Sequence, residues 1–164
     1  MPLSFRVPTL ADAPELAALH VSTWREAYSH LLPDDFFTDE YIEGRHKMWS
    51  HVLNNPREEW TIRVAESSSS IVGFAWAGPS IGADDVELPR ACQLFAIYVA
   101  ADHHSMGAGQ TLLEETLGNE RAMLWGAKDN PRAVAFYLRN GFAFDGFEQI
   151  DPGAPKIIDA RMVR

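Results

Sequence analysis

The chain has 164 residues, enough for one domain around one hydrophobic core and too few to ask for two. Fourteen Lys and Arg against 23 Asp and Glu leave a formal charge of -9, which argues against nucleic acid or an anionic membrane as partner and favours cationic or neutral ones. A 46% hydrophobic share with 23% charged residues excludes a disordered chain, and the single cysteine, Cys92, excludes an intramolecular disulfide and a thiolate-built zinc site.

The first residues, Met1-Pro2-Leu3-Ser4-Phe5-Arg6, lack the apolar run of a signal peptide, and no segment is apolar for long enough to span a bilayer. A cytoplasmic protein is expected. Phe5 to Val7 reads as a short strand closed by Pro8. Asp12 then reads as the N-cap of a helix with Pro14 in its first turn, whose apolar stripe runs through Leu16, His20, Trp24 and Tyr28 to Leu31 and ends at Pro33. Asp34 or Asp35 is the expected cap of a second helix carrying Phe37, Tyr41, Trp49 and Val52, which Asn54-Asn55-Pro56 ends.

Trp60 to Ala65 and Ile71 to Ala77 are β-branched and aromatic runs around Glu66 to Ser70, the pattern of a hairpin. Gly78 to Arg90 has no period and reads as a loop. Ala91 to Val99 is almost continuously apolar, as in a central strand covered on both faces. A turn holding Gly107 and Gly109 leads into a helix with Leu112, Leu113 and Leu117 on one side. Ala122 to Gly126 is strand-like, and Asn130-Pro131 opens a helix that Asn140-Gly141 stops. Phe142 to Phe147 and Ile157 to Val163 complete the series as strands. This order predicts an α/β chain with a mixed sheet and helices on its faces.

The strand, glycine turn and helix from Ala91 to Leu117 form the strongest chemical signal. Free N–H groups at a helix start attract phosphate, and glycine lets a phosphate approach the backbone. The spacing is neither a dinucleotide fingerprint, which needs a third glycine, nor a P-loop, which needs a lysine. His103-His104 is not read as a metal site, because adjacent side chains point apart and no carboxylate stands at a completing spacing. Cys92 reads as a small residue of the buried strand.

Leu94-Phe95-Ala96-Ile97-Tyr98-Val99, followed by His104-x-x-Gly107-x-Gly109 and an amphipathic helix, resembles the acetyl-coenzyme A segment of the GNAT superfamily of N-acetyltransferases. Leu124-Trp125, Asn130, Ala133, Phe136-Tyr137 and Gly141-Phe142 are similar to its second cofactor motif. Trp24-Arg25-Glu26-Ala27-Tyr28 with Leu31-Leu32-Pro33, and Asp159-Ala160-Arg161-Met162, extend the likeness to both ends of the chain. Two positions depart from the family pattern. His104 stands where Gln or Arg is usual, and Gln93 where related enzymes often carry a glutamate.

The resemblance implies a mainly antiparallel sheet of about six or seven strands with about four helices, in a single domain over residues 1–164. It implies acetyl transfer from acetyl-coenzyme A to an amine in a ternary complex, with no metal. The amides of Gly107, Ala108 and Gly109 would hold the pyrophosphate, with His104 in the same segment. Main-chain groups of Ile97, Tyr98 and Val99 would pair with the pantetheine arm. Tyr137 would protonate the departing thiolate, the alternative being a core aromatic. Asn130 is either a cofactor contact or a helix cap, and Arg132 either a phosphate ligand or a solvated side chain.

Trp24, Tyr28 and Trp76 are candidates for an acceptor pocket, or else core aromatics. Gln93 cannot take a proton, so Glu87, Asp84, Asp85, Asp102, His103 and His104 are the candidate bases. The expected acceptor is a small-molecule primary amine, with a protein N-terminus or lysine as alternative. A non-catalytic acyl-coenzyme A sensor is the reading from another class, and a homodimer is a family-based expectation.

Overall fold

The computed structural model describes residues 2–82 and 86–164; the candidate bases Asp84 and Asp85 lie outside them. In chain order the elements are β1 (Ser4–Arg6), α1 (Ala13–Tyr28), α2 (Asp39–Asn54), β2 (Thr61–Ser67), β3 (Ser70–Pro79), β4 (Cys92–Val99), α3 (Ala108–Thr116), β5 (Met123–Ala127), α4 (Pro131–Arg139), β6 (Ala143–Asp151) and β7 (Ala154–Val163). The strands form one sheet in the order β1-β2-β3-β4-β5-β7-β6, antiparallel throughout except for the parallel β4–β5 pair. Among the described residues this is the mixed, mainly antiparallel sheet with four helices that the family resemblance implies.

Alternation along β2 and β3 sends side chains to two cores. Val64 and Phe74 join Leu16 of α1 and Trp49 of α2 on one face. Ala65 and Ala75 pack against Ala108 and Leu112 of α3 on the other. Farther along that second face, Leu94, Leu113, Leu124, Tyr137 and Phe142 bring α3 and α4 together over β4 and β5. Arg6 fixes the chain's start: its guanidinium donates to both Asp12 oxygens, at 2.7 and 2.8 Å, and to Glu66 at 2.6 Å.

Several boundaries differ from the sequence expectation. Asp12 does not cap α1 with its side chain, because its carboxylate is held by Arg6 and by the Thr9 amide. The α1 helix stops at Tyr28, and a 3-10 turn carries the chain to Leu32, which is extended as a residue before proline must tend to be. Thr38, not Asp34 or Asp35, caps α2, its hydroxyl accepting the Tyr41 N–H at 3.1 Å. Phe36 and Phe37 are thereby freed to pack beside Trp24 and Tyr41. The turn between β2 and β3 shrinks to Ser68 and Ser69, both at positive φ, the conformation whose twist suits a two-residue hairpin. At the C-terminus, β6 and β7 are longer than expected. They form a hairpin whose register breaks between Phe144 and Glu148, where Arg161 bonds Asp145 at 2.6 Å and covers the Phe147 ring.

Among the described residues no helix is long and apolar enough to cross a membrane.

Candidate functional site

The site begins where β4 parts from β5. Only Gln93 and Leu94 of β4 pair with β5, opposite Met123 and Leu124, and β4 bulges at Phe95 against β3, where the register shifts between Trp76 and Ala77. From Phe95 to Val99 the edge of β4 that faces β5 has no strand partner among the described residues. Contrary to the expected fully covered strand, this half is only partly buried. Its backbone borders a cavity of about 580 Å³.

Gly107 controls the far end of that cavity. It occupies the N-cap of α3 with φ of 83°, and no atom lies within 4 Å of where its Cβ would stand. The first helical hydrogen bond is Thr111 N–H to Gly107 C=O, so the amides of Ala108, Gly109 and Gln110 have no intrahelical acceptor, and no side chain caps them. Helix polarity makes this a weakly positive end.

All the residues expected at the cofactor line this one cavity: Ile97, Tyr98 and Val99 on β4, His104, Gly107, Ala108 and Gly109 at the turn, and Asn130, Arg132 and Tyr137 around α4. Its charged lining is Arg132 and Arg139 against one carboxylate, Glu26, with His103 and His104 beside them. A local positive bias therefore stands in a chain of formal charge -9. Of these, Arg132 is exposed and reaches the Ser105 hydroxyl at 3.4 Å.

His104 has a structural role in the turn. Its Nε2 lies 2.8 Å from the Val99 carbonyl, which only accepts, so Nε2 carries the proton and ties the turn to the end of β4. Asn130 serves as a cap, its Oδ1 accepting the Ala133 N–H at 3.2 Å, while its Nδ2 donates to the Tyr28 hydroxyl at 3.3 Å. Replacing Asn130 with Ala removes the cap and should lower stability by about 1 kcal/mol, read as a fall in Tm of about 3 °C.

A second cavity of about 250 Å³ adjoins the first, and Ile97, Tyr98, Asn130, Ala133 and Tyr137 line both. Trp24 and Tyr28 wall it from α1, their rings 5.0 Å apart, with Trp125 of β5 also in the lining. The Trp24 indole donates to the Tyr98 hydroxyl at 3.1 Å. Trp76 is elsewhere: opposite Ala96 on β3, it packs among Trp49, Trp60 and Phe95 and lines neither cavity.

Tyr137 is buried, and burial, aided by Tyr28, holds its hydroxyl protonated well above the ordinary tyrosine range. That hydroxyl makes no hydrogen bond among the described residues. The second cavity also holds two carboxylates that are not among the bases expected from the sequence, Asp151 and Asp159. Burial first, and Asp151 second, push Asp159 up to about 6. The available signal was an acid set inside the otherwise apolar strand Ile157-Ile158-Asp159-Ala160.

The remaining candidates are dispersed. His103 and His104 line the larger cavity, whereas Asp102 and Glu87 are exposed and line neither. Gln93 is buried at the start of β4, its Oε1 accepting the Ile81 N–H at 3.0 Å, and lines neither cavity. Cys92 lies outside both, its thiol pushed up by burial and by Glu120. No group of three His, Cys, Asp or Glu converges among the described residues.

The model of the acetyltransferase (GNAT) family matches residues 14–142. A protein of Mycobacterium tuberculosis named probable N-acetyltransferase is 31% identical over 141 residues, 82% of this chain and 76% of the relative. The fold is that of the PaiA N-acetyltransferase of Thermoplasma acidophilum, solved in complex with coenzyme A, with a TM-score of 0.68, 20% identity and coverage of 98% of both chains. It is equally that of a ribosomal-protein-alanine N-acetyltransferase of Brucella melitensis, with a TM-score of 0.66, 21% identity and 98% coverage of each chain. A family match across most of the sequence thus coincides with a sheet that opens at β4 and β5 beside an uncapped glycine turn, and the chain belongs to the GNAT family of N-acetyltransferases.

Proposed function

We propose that the larger cavity takes acetyl-coenzyme A and the smaller one a small-molecule primary amine, the acetyl group passing where Tyr137 borders both. The observation that carries this reading is the pair of adjoining cavities with opposite charge: cations and free amides in one, carboxylates and aromatic rings in the other. The fit to the donor is supported by the open space over Gly107 and the unshared amides beyond it. The unpaired edge of β4 from Ile97 to Val99 offers backbone groups to an amide-bearing arm.

In this reading Ala108, Gly109 and Gln110 hold a diphosphate with their N–H groups, and Arg132 and Arg139 add charge at the rim. When bound, the donor supplies an activated acyl group that an amine can take directly. The protein's task is then to align the two partners, which lowers the entropic barrier, and to manage protons. Tyr137 gives its hydroxyl proton to the departing sulfur. The modest volume of the second cavity supports a compact acceptor over a peptide laid along an open groove.

The test is calorimetry with acetyl-coenzyme A, followed by thiol release in the presence of a panel of primary amines. Micromolar binding with amine-dependent thiol release is expected. No binding by the folded protein sinks the proposal, and binding without release under any amine favours the sensor reading.

A further inference from the structure

We infer that Asp159 is the proton acceptor for the incoming ammonium, and that the pocket it shares with Asp151, Trp24 and Tyr28 takes a compact primary monoamine with an apolar or aromatic body. This rests on the acetyl-transfer reading above and adds the base and the acceptor class to it.

Two other partly buried carboxylates of the sheet, Glu66 and Asp145, are each paired with an arginine. Arg6 holds Asp12 and Glu66, and Arg161 holds Asp145. Asp159 has neither an ion-pair nor a hydrogen-bond partner among the described residues, although it is half-buried on a cavity wall. Asp151 lines the same cavity and repels it, and no Lys, Arg or His lines that cavity. Two carboxylates without a cation form an arrangement that one ammonium would complete.

The rest of the lining selects the amine's body. Trp24, Tyr28, Phe95 and Trp125 present rings that suit an aliphatic or aromatic group and attract a cation over their faces. About 250 Å³ suits a compact amine of this kind better than a bulky polycation.

Placement relative to Tyr137 completes the case. Tyr28, Tyr137 and Asp159 all line the smaller cavity, and burial first, with the charge of Asp159 adding to it, pushes the Tyr28 hydroxyl up. Asp159 thus stands in the smaller cavity, which Tyr137 joins to the larger one. One proton passes from the ammonium to Asp159 and on to solvent. The N–C bond then forms as the C–S bond breaks. The second proton lost by nitrogen replaces the one Tyr137 gives to sulfur. The products are an acetamide, a thiol and one released proton.

The titratable groups facing Asp159 are Tyr28 from α1, Tyr98 from β4, Tyr137 from α4 and Asp151 from β6. The tyrosines are all pushed upward, so none of them changes charge between pH 5 and 8, where Asp159 does. Activity should fall as pH drops through about 6, where Asp159 takes up a proton. Stability runs the other way. A carboxyl raised above its unfolded value is favourable to folding when protonated, and that contribution is lost as pH rises through the folded value.

The experiment compares wild type, Asp159→Asn and Asp159→Glu with phenethylamine and other compact monoamines across pH 5.5 to 9, alongside Tm and acetyl-coenzyme A affinity. Asp159→Asn should lose about 100-fold in kcat/KM, keep its donor affinity and gain about 3 °C in Tm at pH 8, with no gain near pH 4. Asp159→Glu should recover part of the rate. A loss in Asp159→Asn below about tenfold, or a lowered Tm at pH 8, overturns the assignment. A wild type that binds donor yet acetylates no compact monoamine overturns the acceptor class, whereas failure to bind donor overturns the underlying reading instead.

Discussion

Gly107→Glu is expected to abolish acetyl-coenzyme A binding, lowering affinity by at least about 100-fold. Two physical effects act together. Gly107 sits at φ of 83°, a conformation that costs an L-residue about 1–2 kcal/mol, so any side chain there disfavours the turn that presents the α3 amides. The Cβ itself would meet nothing within 4 Å, so the substitution does not disrupt the packed core. What the Glu adds is a carboxylate at the helix end where the donor's phosphates are proposed to sit. Gly107→Gln separates the two effects, since it carries the same backbone strain without the charge. Calorimetry should rank wild type above Gln and Gln well above Glu, with the gap between Gln and Glu shrinking in high salt. Equal binding by all three proteins would place the donor elsewhere.

The same glycine shows how far the sequence could be read. Its spacing with Gly109 and the apolar run before it announced a strand, an anion-friendly turn and a helix, and those local elements stand as expected. Of the two glycines only Gly107 requires positive φ, while a Cβ on Gly109 would make ordinary contact with the Phe136 ring at 3.5 Å. The helix and strand periods likewise announced the four helices and seven strands.

Non-local geometry was not legible. Nothing in Gln93 to Val99 says that β4 pairs with β5 for two residues and then leaves it, because that depends on the bulge at Phe95 against β3. Trp24 and Tyr28 share a cavity with Asp159 from the opposite end of the chain, and Trp76, equally aromatic, faces the core instead. Pattern reading assigns such rings to a face but cannot tell a packed face from one that meets a gap. The acids and histidines that the sequence offers as bases flank the central strand and its glycine turn. An acid in the last strand enters only when the sheet brings β7 beside β5.

Tyr137→Phe should lower kcat by about 100-fold while leaving donor affinity near the wild-type value. The ring packs against Phe136 and Phe142, with centroids 5.8 and 6.2 Å away, and Phe keeps those contacts, so the fold should be retained. Only the hydroxyl is removed, and it has no partner among the described residues to strand. Because burial keeps that hydroxyl protonated well above neutral pH, it can act as an acid throughout the working range, and the acidic limb of the wild-type profile belongs to another group. The limb assigned above to Asp159 should therefore persist, at reduced height, in Tyr137→Phe. Gly126 provides an independent check on position. A Cβ there would stand 3.2 Å from the Tyr137 ring, so Gly126→Ala should displace the hydroxyl and depress kcat without removing it. If Tyr137→Phe keeps more than about half of the wild-type kcat, the proton reaches sulfur by another route and Tyr137 is a packing residue between β5 and α4.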